Sequence, residues 1–353
     1  MVGGQTGRHR DAGTQRPGDR ERRSNDRAAV LARGWKRVGA DKTRLILDTD
    51  IGDDIDDAIA LLFALGSPEF GMLGVTTVYG DVQTRTRIAR RMLQLGGRPD
   101  IPVIAGCERP LGFDYHEGTA PQECSQREAV ADDCTPLPAG PAAPQFIIDC
   151  VRRHPGQVHI VTIGAMTNIA VALCTDVSLA GLIAGVTSLA GYLPPRHSQP
   201  EWNVRYDPAA AQTIARSGVP WTVIGADVQG RNGLARGEFQ ALAASSSPAA
   251  RFLLELVVLM WRNKGTGHPN IRTINDVPGV HVADVFALAS FLIPDQMDLR
   301  TGRVRVADDG AIEFAADPAG PHRYATRSMR ENAYRPEILR RLLAAARQGF
   351  VHG

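Results

Sequence analysis

From Arg44 onward the chain alternates short apolar runs with longer amphipathic ones. Arg44–Leu47 is an apolar run that ends on carboxylates and reads as a strand, and Ala58–Leu65 follows as a buried helix closed by Gly66 and Pro68. Met72–Val78 is a second strand ending at Tyr79-Gly80-Asp81. Thr84–Leu95 reads as an amphipathic helix, with Ile88, Met92 and Leu95 on one face and arginines on the other. The pattern repeats as helix Phe146–Val151, strand Val158–Thr162 and helix Thr167–Leu173, the last capped by Thr167 or Asn168. Strand Val186–Ala190, helix Asp207–Arg216 and strand Trp221–Gly225 continue it. Such alternation predicts an α/β fold, a single domain with a central, mostly parallel sheet flanked by helices. Ligands of these folds sit beyond the carboxyl ends of the strands. Three strands end there in acid-bearing or Gly-rich loops: Leu47 into Asp48, Val78 into Asp81, and Thr162 into Gly164. These loops are expected to converge on one crevice. Leu111–Pro144 and residues 192–203 lack periodicity and read as long loops, either functional or disordered.

Composition changes the picture mainly at the amino end. Residues 1–40 hold ten Lys/Arg against four Asp/Glu, which places +6 there and −4 on the rest of a chain whose net charge is +2. That segment has almost no apolar residues before Ala28, so it is expected to be a disordered basic extension, with the catalytic domain occupying 41–353. It lacks the apolar core of a signal peptide, and no stretch approaches the roughly 20 apolar residues of a membrane span. The near-neutral balance argues for neither nucleic acid nor membrane as partner. Five cysteines (107, 124, 134, 150 and 174) include no CxxC pair, so they signal neither a disulfide framework nor a zinc site. A reducing cytoplasm is expected. Cys124 and Cys134 share a polar loop and would pair if oxidised, although free thiols are the plainer expectation.

The chemistry concentrates in Asp48-Thr49-Asp50-Ile51-Gly52-Asp53-Asp54-Ile55-Asp56-Asp57, six aspartates in ten residues between an apolar strand and an apolar helix. Carboxylates packed this densely repel one another and call for a cation. An all-oxygen donor set favours a hard ion, Ca²⁺ or Mg²⁺. The plainer alternative is that Asp56 and Asp57 only favour the helix N-terminus electrostatically. An EF-hand is excluded, because Gly52 falls fifth rather than sixth and Ile59 stands in the twelfth position. A phosphatase of the haloacid-dehalogenase type would begin with a similar strand and D-x-D. Its next signature residue is Gly52 here, and its downstream Lys and acidic pair cannot be placed.

A third set of motifs matches more closely. Leu45–Leu61 resembles the D-x-D-x-G…D-D-A-x-A-L signature of the inosine/uridine-preferring nucleoside hydrolase family, in a longer variant. In order after it come Gly74–Asp81, Ile104-Ala-Gly-Cys107, Ile163–Ala170 (like G-x-x-T-N), Pro200–Pro208 (like E-[FW]-N…D-P) and Asp284–Ala289, which is similar to the last metal-ligand segment. Each alone is weak; the ordered set over about residues 43 to 345 is specific.

The resemblance implies Ca²⁺-dependent hydrolysis of the N-glycosidic bond of a ribonucleoside to free base and ribose, by a homodimer or homotetramer. It implies that Asp50, Asp57, Asp284 and the main-chain carbonyl of Ile163 hold the metal, with Asp50 also the general base for the metal-bound water. Asp56, Asp81, Glu201, Trp202 and Asn203 would bind substrate. Carboxylates and amide oxygens near the sugar suit an oxocarbenium-like transition state. Asp48 is expected behind the site, Asp53 in solvent, and Asn168 as a helix cap or supporting residue. The chain departs from the family in three places. Asp53, Asp54 and Ile55 lengthen the acidic loop, so Asp54 competes with Asp56 for the ribose. Asp81 stands where Asn is common. Ala283 occupies the place of a leaving-group histidine, leaving His281 or His116 as candidate acids. A non-catalytic nucleoside-binding protein is the further alternative, and Trp202, Tyr79 and Trp261 are the candidate base-stacking rings.

Overall fold

The computed structural model describes residues 42–112, 124–137, 140–192, 200–229, 233–264, 268, 270–328 and 334–348. The expectations for residues 1–40 and for His116 lie outside them. In chain order the elements are β1 (Thr43–Thr49), α1 (Asp56–Leu65), β2 (Phe70–Thr77), α2 (Val82–Leu95), β3 (Val103–Ala105), α3 (Ala143–Arg153) and β4 (Val158–Thr162). Then come α4 (Thr167–Thr175), β5 (Gly185–Leu189), α5 (Trp202–Tyr206), α6 (Pro208–Ser217), β6 (Trp221–Ile224), β7 (Leu234–Ala235), α7 (Arg236–Ala244) and α8 (Pro248–Asn263). The last are β8 (Gly279–Val280), α9 (Val285–Leu292), β9 (Met297–Val306), β10 (Ile312–Ala316), β11 (His322–Ser328) and α10 (Arg335–Gln348).

Nine strands form one sheet in the order β10-β9-β11-β6-β5-β4-β1-β2-β3. From β3 across to β11 every neighbouring pair is parallel, and β9 and β10 extend the sheet antiparallel. Alternation along β1 explains why helices cover both faces. Leu45 and Leu47 join a core shared with α1, α2, α7, α8, α9 and α10, whereas Ile46 faces α3, α4 and α6. Burying α1 side chains such as Leu61, Leu62 and Phe63, all fully inaccessible, contributes about 1.5–3 kcal/mol each. The chain lays β2 and β3 to one side of β1, then returns to place β4 on the other. Connections leave β1 and β4 in opposite directions, so a crevice opens beyond their carboxyl ends. Among the described residues no helix is long and apolar enough to cross a membrane.

The sequence expectations differ from the structure at several ends. Helix α2 begins at Val82 because Asp81 caps it, accepting from the Thr84 amide at 3.0 Å. Helix α4 is capped by neither Thr167 nor Asn168, since both side chains have buried partners elsewhere. Thr167 Oγ1 donates to Asp207 at 2.7 Å, and Asn168 turns to Asp48. Within Leu111–Pro144, Arg127–Val130 forms a helical turn and the last two residues already belong to α3. Nor do all α2 arginines face outward: Arg85 lies on the Ile88–Met92 stripe and is buried.

Candidate active site

The acidic run leaves the carboxyl end of β1 and re-enters the protein as the first turn of α1. Asp48 still belongs to the strand and is fully buried; its Oδ1 accepts from Thr76 Oγ1 at 2.5 Å and Asn168 Nδ2 at 2.7 Å. Asn168 also donates to the Thr77 carbonyl and accepts from the Cys107 amide, tying β1 to the loops after β2 and β3. Asp57 is buried and accepts from Thr49 Oγ1 at 2.5 Å. Asp56 accepts from the Ala283 amide at 3.3 Å, which brings in the segment just before α9. Asp284 therefore stands opposite the start of α1. Carboxylate oxygens of Asp56, Asp57 and Asp284 lie within 4.8 Å of one another and could hold a metal ion. Gly164 lets the loop after β4 close on Asp50, since a Cβ there would stand 2.9 Å from the Asp50 amide nitrogen and Oδ1.

Electrostatics set these groups apart from ordinary surface acids. Burial raises the Asp57 and Asp284 carboxyls well above the usual range, and their acidic neighbours add to it. Burial also lifts Asp56 to about 7 and Asp50 to about 6, the latter opposed by the Arg85 guanidinium. Four carboxylates that burial and mutual repulsion push toward protonation are stabilised by a cation placed among them. The donors are all oxygens, so the residues present fit a hard divalent ion better than a thiophilic one.

Across the crevice, Glu201 caps α5. Its carboxylate accepts from the amides of Asn203 (2.9 Å), Gly191 (3.1 Å) and Val204 (3.4 Å), and burial outweighs these bonds, lifting it to about 7. Asn203 Nδ2 donates to the carbonyls of Ile163 and Leu189, both at 3.1 Å, fixing the carboxyl ends of β4 and β5. Trp202 is 48% exposed and meets Tyr206 edge-on at 4.4 Å; Tyr206 in turn stacks on Tyr79 at 4.0 Å. Asp81 spends both carboxylate oxygens on Thr84 while capping α2. His281 is exposed at a cavity of about 860 Å³ that Asp56, Ile55, Met260, Trp261 and Lys264 also line.

Several sequence expectations change here. Asp53 is not left to solvent: it pairs with buried Arg85 at 2.7 Å and accepts from the Ser125 amide at 3.1 Å. Asp54 is exposed and pairs with Lys264, outside the trio that Asp56 joins. Cys124 and Cys134 are free thiols, as the plainer expectation had it, and the Cys124 thiol donates to the Gly52 carbonyl. Two elements went unread in the sequence. Ser125 and Gln126 clasp the acidic loop from the far end of the long connection, bonding the carbonyls of Asp53 and Asp54. Nothing local signals them. Arg85 is different, because its spacing of three from Ile88 and seven from Met92 puts it on the buried stripe.

Residues 45–330 match a family model described as inosine-uridine preferring nucleoside hydrolase. Uridine nucleosidase 1 of Arabidopsis thaliana is 30% identical over 281 residues, covering 76% of this chain and 79% of that protein. The pyrimidine-specific ribonucleoside hydrolase RihA of Klebsiella pneumoniae subsp. pneumoniae is 30% identical over 226 residues, or 60% and 70%. Among solved structures, a plant nucleoside hydrolase superposes with TM-score 0.70 at 26% identity, covering 86% of this chain and 100% of that one. A purine-preferring ribonucleoside hydrolase from Gardnerella vaginalis does so with TM-score 0.69, also at 26% identity, covering 86% and 99%.

Proposed function

The chain belongs to the inosine-uridine preferring nucleoside hydrolase family and is an N-glycosyl hydrolase, and we propose that it splits ribonucleosides into base and ribose with Ca²⁺ as cofactor and Asp50 as general base. The observation that carries this reading is the meeting of Asp56, Asp57 and Asp284 beside Asp50, where the strand order reverses. Asp50, Asp57, Asp284 and the Ile163 carbonyl would hold the cation, and Asn203 Nδ2 donates to that same carbonyl. When bound, Ca²⁺ supplies Lewis-acid polarisation of water and sugar hydroxyls and offsets the charge of the cluster.

The rest of the reaction falls to the side chains. Asp50 takes a proton from the attacking water as the C1′–N bond breaks. Asp56 holds ribose hydroxyls; Asp54 lines the same cavity but is exposed and paired with Lys264. Positive charge growing on the sugar ring is met by Glu201 and by the amide oxygen of Asn203, whose Nδ2 is already committed to two carbonyls. Trp202 offers an exposed face to the departing base, and His281 protonates that base from the cavity wall. Incubation with a panel of purine and pyrimidine ribonucleosides, with and without EDTA, tests the reading through release of base and reducing sugar. Release should stop with EDTA and with Asp50→Ala. No release from any ribosyl compound, or release that survives Asp50→Ala, defeats it.

A further inference from the structure

The Arg85 side chain is completely buried, and of its four donor contacts three aim at the acidic loop and one at the end of β2. Nε donates to the Tyr79 carbonyl at 2.7 Å, Nη1 to the carbonyls of Asp50 and Ile51, and Nη2 to Asp53 at 2.7 Å. The guanidinium thus staples the end of β2 to the acidic loop leaving β1. The loop it holds turns at Gly52, whose φ is +126° and whose absent Cβ would lie 2.3 Å from Cys124 Sγ, so glycine there admits the left-handed turn and the close packing of Cys124. A surface ion pair would need none of this arrangement. A planar fork with five donors can hold several carbonyls at once, which a lysine ammonium on a flexible stem cannot.

We propose that Arg85 is a positioning residue for hydrolysis: it fixes the Asp50 main chain from behind, and so aims the Asp50 carboxylate and sets the cation affinity of the site. The hydrogen bonds of Arg85 go to the carbonyls of Tyr79, Asp50 and Ile51 and to the Asp53 carboxylate, and to none of the carboxylates assigned to the cation. It works through the Asp50 and Ile51 carbonyls that its Nη1 holds. The inference rests on the hydrolase reading given above for its catalytic part, and on the acidic site alone for its binding part.

Arg85→Lys keeps the charge and loses the fork. Calorimetric titration of the intact protein with Ca²⁺ alone, thermal unfolding, and kcat and KM at saturating Ca²⁺ separate the effects. The expected result is Ca²⁺ affinity at least tenfold weaker and kcat at least tenfold lower, with KM changed less than threefold. Asp53→Asn leaves Arg85 in place but loosens one arm of the staple, so kcat at saturating Ca²⁺ should fall three- to tenfold. If Arg85→Lys folds with Ca²⁺ affinity and kcat within twofold of wild type, the proposal is overturned. If Arg85→Lys does not fold, unchanged kcat in Asp53→Asn overturns it. Wild-type protein that binds Ca²⁺ but releases no base would instead refute the hydrolase reading, with the calorimetric arm still deciding the role of Arg85 in cation binding.

Discussion

Asn168→Ala tests whether the buried polar network behind the acidic run is built as described. The wild-type amide serves three partners at once: Asp48 Oδ1 at 2.7 Å, the Thr77 carbonyl at 3.0 Å and the Cys107 amide at 2.8 Å. Asp48, Thr77 and Asn168 itself are fully buried, and Cys107 is half-buried. Alanine leaves the Thr77 carbonyl and Cys107 amide unpaired and Asp48 with Thr76 alone. Each abandoned buried group costs about 1–3 kcal/mol, so the sum falls at about 3–5 kcal/mol if some relaxation is allowed. In a domain of this size the cost corresponds to a Tm lower by about 6–15 °C. The sharper variant is Asn168→Asp. It keeps the volume and the acceptor for Cys107 but turns the donor toward Asp48 into a second carboxylate oxygen. It should therefore be less stable than Asn168→Ala at pH 8. Urea and thermal unfolding of the three proteins, each under excess EDTA to remove metal linkage, give the comparison. Asn168→Asp as stable as wild type, or more stable than Asn168→Ala, would refute the hydrogen-bond assignment.

Three further outcomes follow from other parts of the molecule. His322 is 3% exposed, accepts from the Val304 amide through Nδ1 at 2.8 Å, and is held down to about 4 by burial and then by Arg303. A depressed histidine stabilises the fold above the unfolded value near 6.5 and loses that contribution as pH falls toward 4. Its share is about 2 kcal/mol lost by pH 5. His322→Asn keeps an acceptor near Nδ1 and cannot titrate there, so its stability loss between pH 8 and pH 5 in urea melts should be smaller by that amount; an identical pH dependence counts against the assignment. Trp202→Ala removes a half-exposed ring whose contacts are Tyr206 and Arg205. Stability should change by about 1 kcal/mol, while KM for ribonucleosides rises about tenfold, on the scale of one lost base–aromatic stack. An unaltered KM across the panel would remove Trp202 from the substrate site. His281→Ala should lower kcat about 100-fold on nucleosides whose base leaves as a poor anion, and scarcely affect a riboside with a nitrophenolate leaving group. Equal losses on both substrates would show that His281 is not the leaving-group acid.

What could be read along the chain was whatever a local period or a contiguous motif encodes. Strands β1, β2, β4, β5 and β6 were legible because apolar runs bounded by turn residues are a local signal, and their loops do meet at one end of the sheet. The antiparallel addition of β9 to β11 went unread. Part of it was accessible, since Val304 and Val306 are buried in alternation with exposed Arg303 and Arg305. What stayed open within the acidic run has a different origin. Asp53, Asp54 and Asp56 are near neighbours of the same residue type, and composition cannot tell which of them turns inward. That choice is made by Arg85, Lys264 and the Ala283 amide, the last 227 residues away in the chain.

This division explains why an acidic run so conspicuous in sequence does not by itself make a site. Dense carboxylates at a strand end repel, and a chain with nothing else nearby would splay them into water. Here the return of the chain to lay β4 beside β1 brings Ile163 and Gly164 against Asp48 and Asp50, with the Ile163 amide donating to the Asp48 carbonyl at 2.8 Å. Packing of α9 against α1 then carries Asp284 to Asp56 and Asp57. The hydrophobic core does this work: Ala58, Leu61 and Phe63 on α1 and Phe286 and Leu288 on α9 belong to the same buried cluster. Their burial holds together carboxylates that would otherwise separate, and that burial, joined by the neighbouring acids, raises the carboxyls of Asp57 and Asp284. A bound cation relieves that repulsion, so metal affinity and fold stability are two readings of one free energy. Trimming Phe286 should therefore weaken Ca²⁺ binding as well as the fold, whereas trimming an equally buried side chain of the opposite core, such as Val223, should affect stability alone.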